Sequence, residues 1–176
     1  DYWRAIIDYT GIVWSKDYSR YADFSAGKEF PKWFVGGKLN WTDTIFKWAK
    51  NPATASHKAV VAETEDGRIN SVTYAELHDQ VRAFAAGLKQ LGLQRGDRVG
   101  LLMEPGIEAV VSMIGLSYMG AVVLPLFSGF GVDPIVPQMS ASGPRALMVP
   151  SGFVHRGQRL PTLPRPRRAT PPPPVR

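Results

Sequence analysis

The sequence predicts an α/β protein in which a β-hairpin leads into a β-α-β-α-β run forming a parallel sheet. Two observations carry this. Apolar residues repeat at helical spacing in some segments and run continuously over four to six residues in others. The two kinds of segment alternate, separated by Gly, Pro and Asp-Gly punctuation. Short continuous apolar strands alternating with helices imply a parallel sheet covered on both faces.

The elements follow in chain order. Residues 1 to about 50 hold all five tryptophans, Trp3, Trp14, Trp33, Trp41 and Trp48. They read as amphipathic segments whose rings pack onto a larger body. Interleaved aromatic and basic residues can bind single-stranded nucleic acid. The first 48 residues hold seven bases and six acids, however, which implies no positive groove. Thr42 to Lys50 reads as a helix ended by Asn51-Pro52. Ala59 to Ala62 and Ile69 to Val72 read as strands joined at Asp66-Gly67, where Gly accepts positive φ.

Thr73-Tyr74-Ala75-Glu76 has capping-box spacing. Leu77, Val81, Phe84, Leu88 and Leu91 then share one helix face, and Gly92 stops the helix. Val99 to Met103 reads as a buried strand broken by Pro105-Gly106. Ile107, Val110, Val111 and Ile114 mark a helix ending near Gly120, and Ala121 to Leu126 a second buried strand. Pro134 opens a helix bearing Ile135, Val136 and Met139, and Arg145 to Val149 forms a third strand. Ligands bind such sheets at the strands' carboxyl ends. Here those are Met103-Glu104, Phe127 to Gly131 and Pro150-Ser151-Gly152.

Composition narrows function. There is no cysteine, which excludes disulfides, thiolate metal sites and a thiol nucleophile and fits a cytoplasmic protein. His57, His78 and His155 are too scattered to suggest a metal cluster. Ala109 to Val132 is uncharged and long enough for a bilayer. Its glycines, and the change from helix-periodic to β-branched composition, read better as a buried helix and strand, so no membrane partner is expected.

The formal charge of +6 is unevenly placed. Residues 1–133 carry 14 bases against 15 acids; the remainder carries seven arginines and no acid. From Pro161 to Arg176 only Pro, Arg, Thr, Ala, Leu and Val occur. Such a segment buries too little apolar surface to offset its ordering entropy, so disorder or polyproline-like structure is expected. Three readings stay open: a phosphate-binding tail, a proline-rich ligand for a partner domain, and out-of-frame translation of a GC-rich gene. The expected organisation is an aromatic-rich segment, 1–58, a partial α/β subdomain, 59–153, and a basic Pro/Arg-rich tail, 154–176.

Several strings, in order, carry a family resemblance. Trp33-Phe34-Val35-Gly36-Gly37-Lys38-Leu39-Asn40 resembles the WF-x-GG-x-LN segment of acetyl-CoA synthetase-like enzymes. Thr73-Tyr74-Ala75-Glu76-Leu77 and Gly96-Asp97-Arg98-Val99 resemble the TYxEL and GDRV strings of the adenylate-forming superfamily. Met119-Gly120-Ala121-Val122 to Pro125 resembles its (K/R)xGA…P segment, and Phe127-Ser128-Gly129-Phe130-Gly131 the FSGF string of the acetyl-CoA synthetase branch. Together they resemble the N-terminal part of an AMP-forming acyl-CoA synthetase.

The resemblance implies a two-step ligase. A small, short-chain carboxylate attacks the α-phosphate of ATP, and coenzyme A then displaces AMP, with Mg²⁺ bridging phosphates. It also implies a coenzyme A contact at Arg156-Gly157-Gln158-Arg159, which lies where the family carries R-G-G-R and departs from it at Gln158. Two guanidiniums flanking a turn suit an anionic cofactor. Phe127, Ser128 and Gly129 fall near the same cofactor; the bland alternative is a plain strand-to-helix turn.

The family's Ser/Thr/Gly-rich phosphate loop ending in Pro-Lys does not occur in the 176 residues, nor does its C-terminal catalytic-Lys domain. The chain alone is therefore expected to be inactive and to bind ATP, Mg²⁺ and coenzyme A poorly. A competing reading is a non-enzymatic module whose basic tail binds an acidic partner or nucleic acid; no specific nucleic acid is expected otherwise.

Overall fold

The computed structural model describes residues 2–126, 132–150, 152–155 and 158–160. The N-terminal segment contains α1 (Tyr2–Thr10), the antiparallel pair β1 (Arg20–Asp23) and β2 (Lys32–Val35), and α2 (Trp41–Lys50). Lys47 of α2 donates to the carbonyls of Thr10 (2.5 Å) and Gly11 (3.0 Å), supplying partners for the end of α1. The segment reaches the body through α2, where Phe46 is fully buried among Val72, Leu77, Val81, Val111 and Ile114. Its other rings stack largely on one another: Trp14, Tyr18 and Phe34 form one cluster, and Trp3, Trp33 and Phe24 another.

The hairpin β3 (Lys58–Glu63) and β4 (Ile69–Thr73) forms as the sequence predicts, with Gly67 at φ 78° in its turn. It leads directly into α3 (Tyr74–Gln90), where the capping box is complete. Thr73 Oγ1 accepts from the Glu76 N–H, and Glu76 Oε2 accepts from the Thr73 N–H at 2.8 Å.

Helix α3 and the next helix, α4 (Ile107–Tyr118), end in the same way. Gly92 donates to Lys89 O and Leu93 to Leu88 O; Gly120 donates to Ser117 O and Ala121 to Leu116 O. Each is a Schellman closure with a left-handed glycine (φ 86° and 82°). This corrects one expectation. Leu91 is 80% exposed, because the chain reverses at Gly92 and Leu93 supplies the apolar contact with Leu88 instead.

Strands β5 (Arg98–Leu102), β6 (Val122–Leu126) and β7 (Ala146–Met148) form one parallel sheet in the order β6-β5-β7. Val99, buried with Val123, Ala146 and Met148, meets α3 and α4 on one face. On the other face, a Cβ added at Gly100 would meet Met139 of α5 (Val132–Ser142) and Leu147, so α5 covers that side. The two faces are thus covered unequally. Strand β6 was expected to be buried, yet Val122 is 46% exposed, because β6 has no neighbour on its outer side among the described strands. That edge position also accommodates Pro125, which has no N–H to give a ladder.

A further pair, β8 (Phe153–His155) with β9 (Gln158–Leu160), is antiparallel. It lies where the sequence suggested no regular structure. No helix among the described residues is long and apolar enough to cross a membrane.

Candidate functional site

The order β6-β5-β7 with parallel pairing sets Leu126 beside Leu102 and Met148 beside Leu101, so the three strands end along one edge. The carboxyl edge of an open parallel sheet is where ligands are held. Beyond β5, Met103 and Glu104 are partly buried, and Pro105-Gly106 turns the chain into α4. Gly106 is the N-cap of α4 and offers no side-chain cap. Beside the carboxyl half of β6 lies a cavity of about 330 Å³ between Leu124, Pro125 and Leu126 and the α5 residues Gln138, Met139 and Ser142. Gln138 and Ser142 are its polar groups.

A larger groove, about 770 Å³, lies at the opposite edge, between the N-terminal segment and the end of α4. Lys38, Asn40, Asp43, Arg95 and Tyr118 line it. Its size does not make it the better candidate. Ligands bind such sheets at the carboxyl rather than the amino ends of the strands, and Asn40, one of the polar residues lining the groove, is committed to structure. Asn40 Oδ1 accepts from the Thr42 N–H (3.2 Å) and hydroxyl (2.9 Å), while its Nδ2 donates to Tyr118 O (3.1 Å) and Ser117 O (3.4 Å). One side chain therefore caps the start of α2 and the end of α4.

The other familiar strings also hold structural positions. Gly37 packs so tightly that a Cβ would sit 2.8 Å from the Trp14 ring and 3.1 Å from Phe34 O. In the Gly96-Asp97-Arg98 turn, Gly96 donates to Gly120 O, and Asp97 O and Arg98 O accept from Val122 and Arg145. This sets β5 in register with both neighbours. Asp97 Oδ2 accepts from the Gln94 N–H (2.7 Å) and pairs with Arg145 at 3.4 Å. The Arg145 partnership and the second role of Asn40 escaped sequence reading; the only signal was polar character beside a helix end or strand start.

Of the residues singled out for a coenzyme A contact, Phe127, Ser128, Gly129, Arg156 and Gly157 lie outside the described residues. Gln158 and Arg159 belong to β9, paired with His155 and Val154. His155 and Gln158 are register partners across that pair. Among the described residues no group of three or more His, Asp or Glu could hold a metal ion. His78 sits partly buried on α3 with its ring 4.6 Å from Phe46. Burial lowers its pKa below the ordinary 6.5; Arg82 and Lys50 push the same way, and Asp79 opposes them.

Comparison with known proteins bears on this arrangement. A family model described as acetyl-coenzyme A synthetase N-terminus matches residues 1–45, and one described as AMP-binding enzyme matches residues 47–172. Acetyl-coenzyme A synthetase of Chromobacterium violaceum is 37% identical over 150 residues, covering 85% of this chain and 23% of that protein. Acetoacetyl-CoA synthetase of Xenopus tropicalis is 30% identical over 159 residues, covering 90% and 23%. Among solved structures, acetoacetyl-CoA synthetase from Streptomyces lividans superposes with a TM-score of 0.81 at 25% identity, over 91% of this chain and 24% of that one. The chain thus spans about a quarter of the length of the relatives it matches. With the AMP-binding match running over most of its length, directly after the acetyl-coenzyme A synthetase N-terminus match, the chain belongs to the AMP-binding enzyme family.

Proposed function

We propose that these 176 residues are the N-terminal part of an ATP-dependent, AMP-forming acyl-CoA synthetase acting on a short-chain carboxylate in the cytoplasm. The observation that carries this is the succession of the two family matches along one chain. The names of the relatives, acetyl- and acetoacetyl-CoA synthetases, support a small acyl group.

In this reading residues 1–58 are an accessory segment seated through α2, residues 59–153 a partial AMP-binding subdomain, and residues 154–176 a basic extension. Arg156, Gly157, Gln158 and Arg159 contact coenzyme A, with Phe127, Ser128 and Gly129 nearby. Two arginines flanking Gly157-Gln158 in the sequence suit an anionic cofactor.

The residues present do not fit Mg²⁺ or the ATP phosphates in the same way. No acidic cluster occurs among the described residues, and no Pro-Lys phosphate loop occurs in the sequence. No step of adenylation is therefore assigned to side chains of this chain. The expected outcome is that the 176 residues alone release no pyrophosphate from ATP with acetate, propionate or butyrate above a mock preparation. Turnover clearly above that background would place catalytic groups within this chain and overturn the division.

A further inference from the structure

The groove between the N-terminal segment and the end of α4, about 770 Å³, is of the size that holds small molecules. Asn40 is tied up in bracing α2 to α4, but the charged side chains around it are not. Lys38, Asp43 and Arg95 line the groove, and none of the three side chains has a hydrogen bond or ion pair to another described residue. Trp41 lines it as well and is 43% exposed. Among the described residues the other four indoles have partners: Trp3, Trp14 and Trp33 touch other rings, and Lys47 lies over Trp48. Trp41 alone touches neither a ring nor a cation.

The fold fixes where these groups sit. Lys38 is bridged to Lys16: its N–H donates to Lys16 O, and its carbonyl accepts from the Ser15 and Lys16 N–H groups. Side chains of such partners leave the ladder on one side, so Lys16 adds a third cation at the rim. Asn40 anchors the chain immediately before Trp41. The Arg95 side chain lies along Gly120, where an added Cβ would meet its Cγ at 2.9 Å and its Nε at 3.5 Å.

This set of groups selects a ligand. Lysine and arginine together attract a phosphate. An unpartnered indole offers a face on which a base can stack. A carboxylate beside the cations would weaken a simple anion site, yet it suits the hydroxyls of a ribose, as an acidic residue does in dinucleotide folds. Phosphate, ribose and base occur together in one class of molecule. We propose that this groove binds a nucleoside monophosphate, with phosphate on Lys38 and Arg95, base on Trp41 and ribose on Asp43.

The test uses the 176-residue chain labelled throughout with 5-fluorotryptophan, the Trp41 signal being the one that Trp41→Phe removes. AMP should move that signal saturably, with a midpoint below about 1 mM, and leave the Trp3 and Trp33 signals in place. Lys38→Gln combined with Arg95→Gln keeps both stems and should weaken binding by about tenfold or more. Asp43→Asn should weaken it severalfold. Arg156→Ala with Arg159→Ala should leave the midpoint unchanged, which separates this groove from the residues assigned to coenzyme A. The absence of a saturable shift overturns the proposal, as does loss of binding in the Arg156 and Arg159 variant alone. Tighter binding by Asp43→Asn, or an equal Trp41 shift with inorganic phosphate, overturns it in favour of a simple anion site. An equal shift with oligoglutamate overturns it in favour of an acidic peptide.

Discussion

Asn40 and Gly115 show how single residues fix this fold. Asn40 combines acceptor and donor roles: its carbonyl oxygen caps α2, and its amide reaches the last carbonyls of α4. Asn40→Asp keeps the cap but places a carboxylate against two carbonyl oxygens. If capping were its whole role, Asp would serve as well as Asn. The account predicts instead that Asn40→Asp loses about 1–3 kcal/mol, no less than Asn40→Ala, in urea unfolding at pH 7. Equal stability of Asn40→Asp and the parent would contradict the second role. Gly115 lies in the middle of α4, where Ala would ordinarily gain up to about 1 kcal/mol of helix propensity. A Cβ there would lie 2.5 Å from the Phe84 ring of α3. Overpacking, costing about 1–3 kcal/mol, should win. Gly115→Ala is thus expected to lower the melting temperature, and a rise would show that α3 and α4 are free to separate.

At the scale of elements, the helix termini carry much of the specification. Thr73→Ala removes one half of the α3 capping box and should cost about 0.5–2 kcal/mol in the same assay. The junction of α2 and α3 is also pH-sensitive. His78 packs against Phe46, and burial sets its pKa below the unfolded value of 6.5. A base with a depressed folded pKa binds fewer protons folded than unfolded, so stability is full above about pH 6.5 and declines as pH falls towards the folded value. The denaturation midpoint should drop between pH 7.5 and 5.5, and His78→Gln should flatten that drop. Glu76, lowered by the Thr73 N–H and hydroxyl, acts in a separate window, below its ordinary 4.5. The elements legible in the sequence were those whose signals are local: the Asp66-Gly67 turn, the Thr73–Glu76 box, and the stops at Gly92 and Gly120. Missed features depended on distant partners. Leu91 shares the helix period but falls after the chain has begun to reverse. The exposure of Val122 follows from its strand being an edge, which periodicity does not encode. The β1–β2 pair has strands of four residues, too short for alternation to stand out.

Across the whole molecule, the same distinction separates fold from site. The parallel sheet and its carboxyl edge were readable, because alternating helices and buried strands admit few topologies. The strings that point to the family proved to be architectural where the structure describes them: helix caps, close glycine contacts and the turn that sets β5 in register. Where described, they position elements of this fold. The phosphate loop and catalytic-lysine domain that the family resemblance implies do not occur in these 176 residues, and the relatives are about four times as long.

The central claim is that this chain supplies the N-terminal part of an acyl-CoA synthetase. The most direct measurement is therefore replacement: the matched segment of the Chromobacterium violaceum acetyl-coenzyme A synthetase is exchanged for residues 1–160 of this chain, and acetyl-CoA formation is assayed. The account predicts a folded chimera that forms acetyl-CoA, with Arg156→Ala and Arg159→Ala raising the KM for coenzyme A severalfold while leaving the KM for ATP unchanged. A folded chimera with no thioester formation would contradict it.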